Sequence, residues 1–369
     1  MTVSFFRRYL LPGFVFQSVV IGGGYATGRE LIEFFAPAGP VGGVLGLLVA
    51  GVVFGAVLAV GFELARVSRA YDYRHFCRAL LGRGWVLFEI LYILQLLLVL
   101  SVIGSASGQL MAATFGLPPL AGTLGLMALI GLLTFNGSEA IKRFLAGWSM
   151  LLYAVYLTLF VLAFRQFGGD ISNVYAQAGV GDGWLAGGVL YSGYNLAVLP
   201  AVLFAIAHHR RRRETVGAGL IAGVIGIVPG VLFFIAMMGL YPQIEQQPVP
   251  ATFLLAALNV GWLALVFQIV VFGTFVETGA AMLHAVNQRL DATFRERGAS
   301  LPRLARPAVA MAFLAMAIFA AQTIGIVDLI AKGYGMLTLA FIVVLILPLM
   351  TVGVWKIPRR QAVPRPAGS

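Results

Sequence analysis

The stretch Gln17-Ser-Val-Val-Ile-Gly-Gly-Gly-Tyr-Ala-Thr-Gly-Arg-Glu30 breaks into an apolar run that extends from Tyr9 to Phe35. The run is long enough to cross a bilayer, which takes roughly 20 apolar residues as a helix. Three consecutive glycines, Gly22, Gly23 and Gly24, and a fourth at Gly28 weaken that helix, each by about 1 kcal/mol relative to alanine. Close packing of Gly24 and Gly28 against another helix accounts for part of the pattern. It leaves Arg29, Glu30 and Glu33 unexplained, since a charge at the centre of a membrane helix costs about 2.5–3.5 kcal/mol on insertion scales. These three must lie near the outer surface or face a polar cavity. Arg29 and Glu33, four apart, are spaced to pair on one helix face.

Working outward, the remaining sequence is more of the same solvent class. The chain is 60% hydrophobic and 11% charged, against about 25% charged in soluble domains. Apolar runs follow at Gly42–Ala65, Trp85–Phe115, Leu120–Phe135 and Phe144–Phe164. After a polar loop from Arg165 to Gly183 come Trp184–Ala207, Val216–Tyr241, Val260–Val286, Ala308–Ala321 and Ile326–Val354. This predicts an all-α integral membrane protein of about ten spans, one transmembrane domain over residues 1–358, with a disordered tail at 359–369. If the N-terminus is cytoplasmic, 22 of the 25 Lys and Arg residues fall in cytoplasmic segments; only Arg29, Arg165 and Lys332 do not. That bias supports the count, because one missed helix would reverse every later cluster. It places both ends inside a bacterial-type inner membrane. It also accounts for the net charge of +11 without nucleic acid: the run His208 to Arg213 reads as a topogenic anchor beside anionic headgroups. No cleavable signal peptide is evident, and Cys77, the single cysteine, excludes an internal disulfide.

The sixth span carries a second irregular stretch, Leu190-Tyr-Ser-Gly-Tyr-Asn-Leu-Ala-Val-Leu-Pro200. Gly193 and Asn195 tolerate unwound backbone, and Pro200 removes a helical hydrogen bond. The two stretches occupy the first span of two halves, about 9–164 and 184–355. Five spans per half gives the halves opposite orientations. Interrupted helices at matching positions of inverted repeats point to a secondary-transporter binding site near the bilayer midplane. On this reading Gly22, Gly23, Gly24, Tyr25, Ser192, Gly193, Tyr194 and Asn195 contact a small-molecule substrate. Glu277, a carboxylate within the eighth span, is an ion-coupling candidate: hard cations take oxygen ligands, and an intramembrane acid is a functional residue by default. Asp328 and Lys332 are spaced to pair with each other, as are Glu63 and Arg66. The serines have no His–Asp set nearby, and the four histidines lack ligand spacing. The glycine runs follow no strand, so a dinucleotide-binding reading fails. An enzyme is not expected.

These residues resemble the LeuT-fold transporters of the amino acid–polyamine–organocation superfamily, and most of all the YkvI-type bacterial membrane proteins. The resemblance covers nearly the whole chain in layout, through short motifs. It implies that Arg29 forms an outer gate with Asp328 and that Glu63, within Gly61-Phe-Glu-Leu-Ala-Arg66, stabilises the sixth span. It implies a sodium site at Thr274, Glu277 and Thr278 against the carbonyls of Ile21 and Gly22. Substrate would lie between spans one, three, six and eight, with Ser101 and Ser105 of span three in reach. Glu277 departs from the hydroxyl residue usual in such transporters, and no counterpart of their substrate-contacting tyrosine on span three stands out. The implied function is Na⁺ or H⁺ symport of a small organic solute, an amino acid or other amine, by rocking the first two helices of each half against the rest. A sensor using the same pocket, or a channel, is the alternative.

Overall fold

A computed structural model describes residues 4–135, 138–296 and 305–361. It contains helices and no strand among the described residues. Among the described residues seven helices are long and apolar enough to cross a membrane, and two shorter apolar helices, Pro119–Thr134 and Pro307–Thr323, accompany them. In chain order the helices used below are α1 (Leu11–Val20), α2 (Gly23–Thr27), α3 (Arg29–Phe35), α4 (Gly39–Ser68), α5 (Tyr73–Leu81) and α6 (Trp85–Phe115). Then come α7 (Pro119–Phe135), α8 (Ser138–Gln177), α9 (Trp184–Asn195), α10 (Leu199–Val202) and α11 (Arg212–Met238). The last are α12 (Pro250–Leu258), α13 (Gly261–Glu296), α14 (Ala305–Thr323) and α15 (Ile326–Pro358). α15 contains π-helical turns at Leu329–Tyr334, Ile342–Ile346 and Leu349–Gly353.

Burial divides these helices as a membrane protein requires. Large apolar side chains such as Val52, Phe319 and Met336 remain more than two-thirds exposed, which is tolerable where hydrocarbon is the solvent. The interior holds large aromatic side chains such as Phe16, Phe54 and Tyr191, and α4 and α11 meet through small residues. A Cβ added to Gly219 of α11 would stand 2.7 Å from the Leu58 backbone of α4, and one at Gly223 would stand 2.6 Å from the Gly51 carbonyl oxygen. Backbone approach of this kind substitutes for the hydrophobic effect that lipid cannot supply.

Three expectations change. The polar loop at Arg165–Gly183 is largely helical, because α8 continues to Gln177. The stretch Ser192–Asn195 does not unwind. α9 continues through Asn195 and the chain loosens only from Leu196, into 3-10 geometry at Leu196–Val198 and Leu203–Ile206. Residues 359–361 of the expected disordered tail are helical; residues 362–369 lie outside the described residues, as do Arg297 and Arg303.

The basic turn at His208–Arg213 supplies a pH prediction. His209 is 3% exposed and its ring meets that of His208 at 4.6 Å. Burial first, and the neighbouring His208 second, push its pKa down to about 4. The folded protein therefore binds fewer protons than the unfolded chain between pH 4 and about 6.5, the ordinary histidine value. Stability should be complete above that window and fall as pH drops through it. Replacing His209 by Gln should flatten the melting temperature over this range; an unchanged slope would assign the acid sensitivity elsewhere.

Candidate functional site

The first apolar run is divided in two places. α1 ends at Ile21 (φ −73°, ψ 71°), Gly22 is extended (φ −102°, ψ −161°), and Gly28 turns the chain through the left-handed region (φ 80°) between α2 and α3. Every backbone group here needs a partner, because lipid offers none. The Gly22 carbonyl accepts from Ala26 N–H at 2.9 Å and the Tyr25 carbonyl from Gly28 N–H at 2.9 Å. Gly24 O accepts from the Thr27 hydroxyl at 2.8 Å, and Ala26 O from the Tyr156 hydroxyl of α8 at 2.9 Å. The Ile21 carbonyl is left open: no backbone N–H reaches it among the described residues. It stands at the C-terminal end of α1, where the helix dipole favours a cation.

A cavity of about 240 Å³ opens beside this point. Its wall takes Ser18 and Val19 from α1, Tyr92 and Gln95 from α6, Val198 and Ala201 from the loosened run after α9, and Glu277 and Thr278 from α13. The four segments are those that the sequence places around the substrate. Glu277 is half-buried, and no hydrogen bond or ion pair reaches its carboxylate among the described residues. Thr278 lies against the interruption, its Cγ2 3.9 Å from where a Gly22 Cβ would be. Thr274, one turn earlier, is buried and donates to the Val270 carbonyl at 2.9 Å. Gln95 donates to the Tyr194 carbonyl at 3.0 Å, while its own amide oxygen is buried with no partner.

Beyond the interruption the chain is closed by aromatic rings. Glu30 turns back from α3 and its carboxylate accepts from the Tyr194 hydroxyl of α9. Tyr194 stacks on Tyr334 of α15 at 4.5 Å and meets Phe34 at 5.9 Å. Tyr25 is fully buried, its hydroxyl unpartnered, beside Gly230 of α11. Gln17 ties α1 to two neighbours, donating to Ile225 O at 2.7 Å and accepting from Tyr153 at 2.7 Å.

Other expected residues are placed differently. Ser192 and Asn195 bond back to their own helix, to Gly188 O at 2.8 Å and Tyr191 O at 2.9 Å. Gly193 admits α15: a Cβ there would meet Thr338 at 2.8 Å. Ser101 and Ser105 are buried and do not line the cavity. Glu63 holds Arg66 at 2.6 Å and accepts from Thr215 of α11 at 2.6 Å, so it joins α4 to α11. Arg29 and Asp328 are not brought together. Arg29 pairs with Glu33 at 2.6 Å and donates to the Glu245 carbonyl at 2.8 Å; Asp328 pairs with Lys332 at 2.9 Å.

Sequence reading passed over a cluster at the cavity's other end. The Arg289 guanidinium of α13 lies over the rings of Tyr73 and Tyr92, 4.2 and 4.1 Å from their centroids. It is 3.6 Å from Glu89, which also accepts from the Tyr73 hydroxyl. Cation–π contacts of this kind are worth about 0.5–2 kcal/mol each. Because Tyr92 is a cavity wall, the cluster latches α5 and α6 to α13 beside the cavity. Arg289→Gln should speed maleimide modification of a cysteine placed at Thr278, in a Cys77→Ala background, several-fold. An unchanged rate would mean that the cluster does not limit entry.

These features define a multi-pass helical membrane protein with the LeuT fold. The chain is similar in structure to a Na⁺-coupled sialic acid symporter (TM-score 0.63, 14% identity, 91% of this chain and 79% of that one). It is similar to Mhp1, a nucleobase-cation-symport-1 family transporter solved with bromovinylhydantoin (0.59, 14%, 96% and 79%). It is also similar to MhsT, solved with L-phenylalanine (0.57, 15%, 95% and 98%). In sequence it is similar to the uncharacterized membrane protein YkvI of Bacillus subtilis (strain 168), at 25% identity over 214 residues. The match spans 57% of this chain and 60% of YkvI, so it covers about three-fifths of that relative. No family model matches the chain.

Proposed function

We propose that this protein is an ion-coupled secondary transporter of a small organic solute, working by alternating access. The observation that carries the proposal is the cavity walled by the end of α1 just before the interruption, with the unpaired Glu277 carboxylate on its wall. Ten spans follow if α1–α3 and α9–α10 each cross once, and α4, α6, α7, α8, α11, α13, α14 and α15 supply the rest. On that count the halves are inverted repeats, both ends are cytoplasmic and the cavity faces the cytoplasm. The oxygen donors Glu277, Thr278 and Ile21 O suit Na⁺, with Gly22 and Thr274 behind them; Glu277 alone suits H⁺. The symporters of the same fold support coupling to a cation.

Reconstituted protein should take up solute when a Na⁺ or H⁺ gradient is imposed, with saturation. A broad solute screen without flux in either gradient would sink this reading: binding without flux would make the protein a sensor, and non-saturating current a channel. The outer gate enters as a rearrangement in which the Arg29–Glu33 and Asp328–Lys332 pairs open and Arg29 reaches Asp328. A double-mutant cycle on uptake should then be non-additive for Arg29 and Asp328. Additivity would leave each residue to its present partner.

A further inference from the structure

Glu30 folds back against the interrupted first helix at Gly24. A Cβ on Gly24 would stand 2.6 Å from Glu30 Cγ, so the third glycine of the triplet is what admits this side chain. The carboxylate accepts from the Tyr194 hydroxyl, and the residue is 3% exposed. Among the described residues no basic side chain pairs with it. Arg29, its neighbour in sequence, is held by Glu33 and by the carbonyls of Glu245 and Gln247. A sealed carboxylate with only neutral donors lacks one positive charge, and burying it so is costly.

The surroundings fit a particular kind of cation. Tyr194, Tyr334, Phe34 and Tyr191 present ring faces and edges to one another at 4.5–5.9 Å. Gln95, whose amide donates to Tyr194 O, carries a buried amide oxygen with no donor. An unpaired carboxylate held by the Tyr194 hydroxyl at the edge of an aromatic cluster, with the open Gln95 acceptor tied to the same tyrosine, complements an organic ammonium. They do not complement a carboxylate ligand, which would meet Glu30 as a like charge. Nor do they make a metal site: no group of three His, Cys, Asp or Glu able to hold a metal ion exists among the described residues.

We infer that the site takes an organic monoammonium ion lacking a carboxylate, with Glu30 as its counter-charge, and discriminates against amino acids and organic acids. The inference deepens the transporter reading by naming the substrate class. Tyr194 joins Gln95 on the cavity wall to Glu30. An ammonium arriving through the cavity reaches the carboxylate by displacing the Tyr194 hydroxyl.

The test is thermal melting of the purified full chain at constant ionic strength, with two matched sets. These are phenethylamine, phenylalanine and 3-phenylpropionate, and butylamine, 2-aminobutyrate and butyrate. At least one amine should raise the melting temperature saturably, with its amino acid and acid partners tenfold or more weaker. Glu30→Gln, and separately Gly24→Ala, should weaken the amine response tenfold or more. Three results overturn the inference: no saturable response to either amine, which leaves a proton as the balancing charge; equal response to the amino acid; or an amine response that survives Glu30→Gln. The matched sets decide the question on the wild type even if a variant does not fold. Amine binding without gradient-driven flux would defeat the transporter reading and leave this inference standing. Gradient-driven uptake of an amino acid that is indifferent to Glu30→Gln would do the reverse.

Discussion

Replacing Glu277 by Gln should uncouple uptake from the driving ion while leaving the protein folded. The side chain is half-buried on the wall of the cavity and supports no packing that an isosteric amide would lose. What the substitution removes is the formal charge that the proposed ion site supplies from the cavity wall. Contacts to charged groups are worth about 1.5–3 kcal/mol, which corresponds to about a tenfold to hundredfold change in ion affinity. Gradient-driven uptake should fall by that order, while solute exchange across the membrane without a gradient persists. The melting temperature gives an independent readout. If Na⁺ is the ion, replacing K⁺ by Na⁺ should stabilise the wild type and leave Glu277→Gln unmoved. If the ion is H⁺, neither protein should respond to Na⁺, and uptake by the variant should lose its dependence on the pH gradient. Unchanged ion dependence in the variant would remove Glu277 from the site.

Much of the architecture is legible because it follows from solvent. Apolar runs must be helical in lipid, and the run Trp85–Phe115 coincides with α6 residue for residue. The irregularity at Gly22 is legible because close helix packing accounts for Gly24 and Gly28 but not for the charges that follow the triplet. What the sequence hides depends on which partner lies within reach after folding. Asn195 and Ser192 are residue types that tolerate unwinding, yet both bond to carbonyls four residues back and continue the helix. Arg29 had two acidic candidates, and the nearer, Glu33 on the same helix face, holds it here. Glu30 is the most instructive case. Its charge marks it as exceptional in sequence, but nothing local says that its side chain folds back to Gly24 across the left-handed turn at Gly28. The Arg289 cluster joins residues some two hundred positions apart, with no periodic signal to announce it.

The second large effect concerns the helices that would move. Gly219→Leu or Gly223→Leu should lower the melting temperature by about 10 °C or more, or abolish folded protein, since overpacking costs about 1–3 kcal/mol even where side chains can yield. Here they cannot yield: the obstructions are the Leu58 backbone and the Gly51 carbonyl of α4. Leu at Gly125 of α7, where an added Cβ meets nothing within 4 Å, should be close to neutral and is the control. The same close approach recurs around this pair. Gly13 of α1 faces Ile225 at 2.7 Å, Gly61 of α4 faces Leu199 at 2.6 Å, and Gly226 of α11 faces Phe16 at 2.9 Å. So α4 and α11 are joined by direct backbone approach, and α1 and the α10 region are seated on them by large side chains set against glycines, an interface too close to slide. If the protein alternates access, these helices must turn as one body. The displacement must then fall where the cavity already separates them from α6 and α13. A tolerated Gly219→Leu, with uptake intact, would show that this interface is loose and that the moving parts are divided elsewhere.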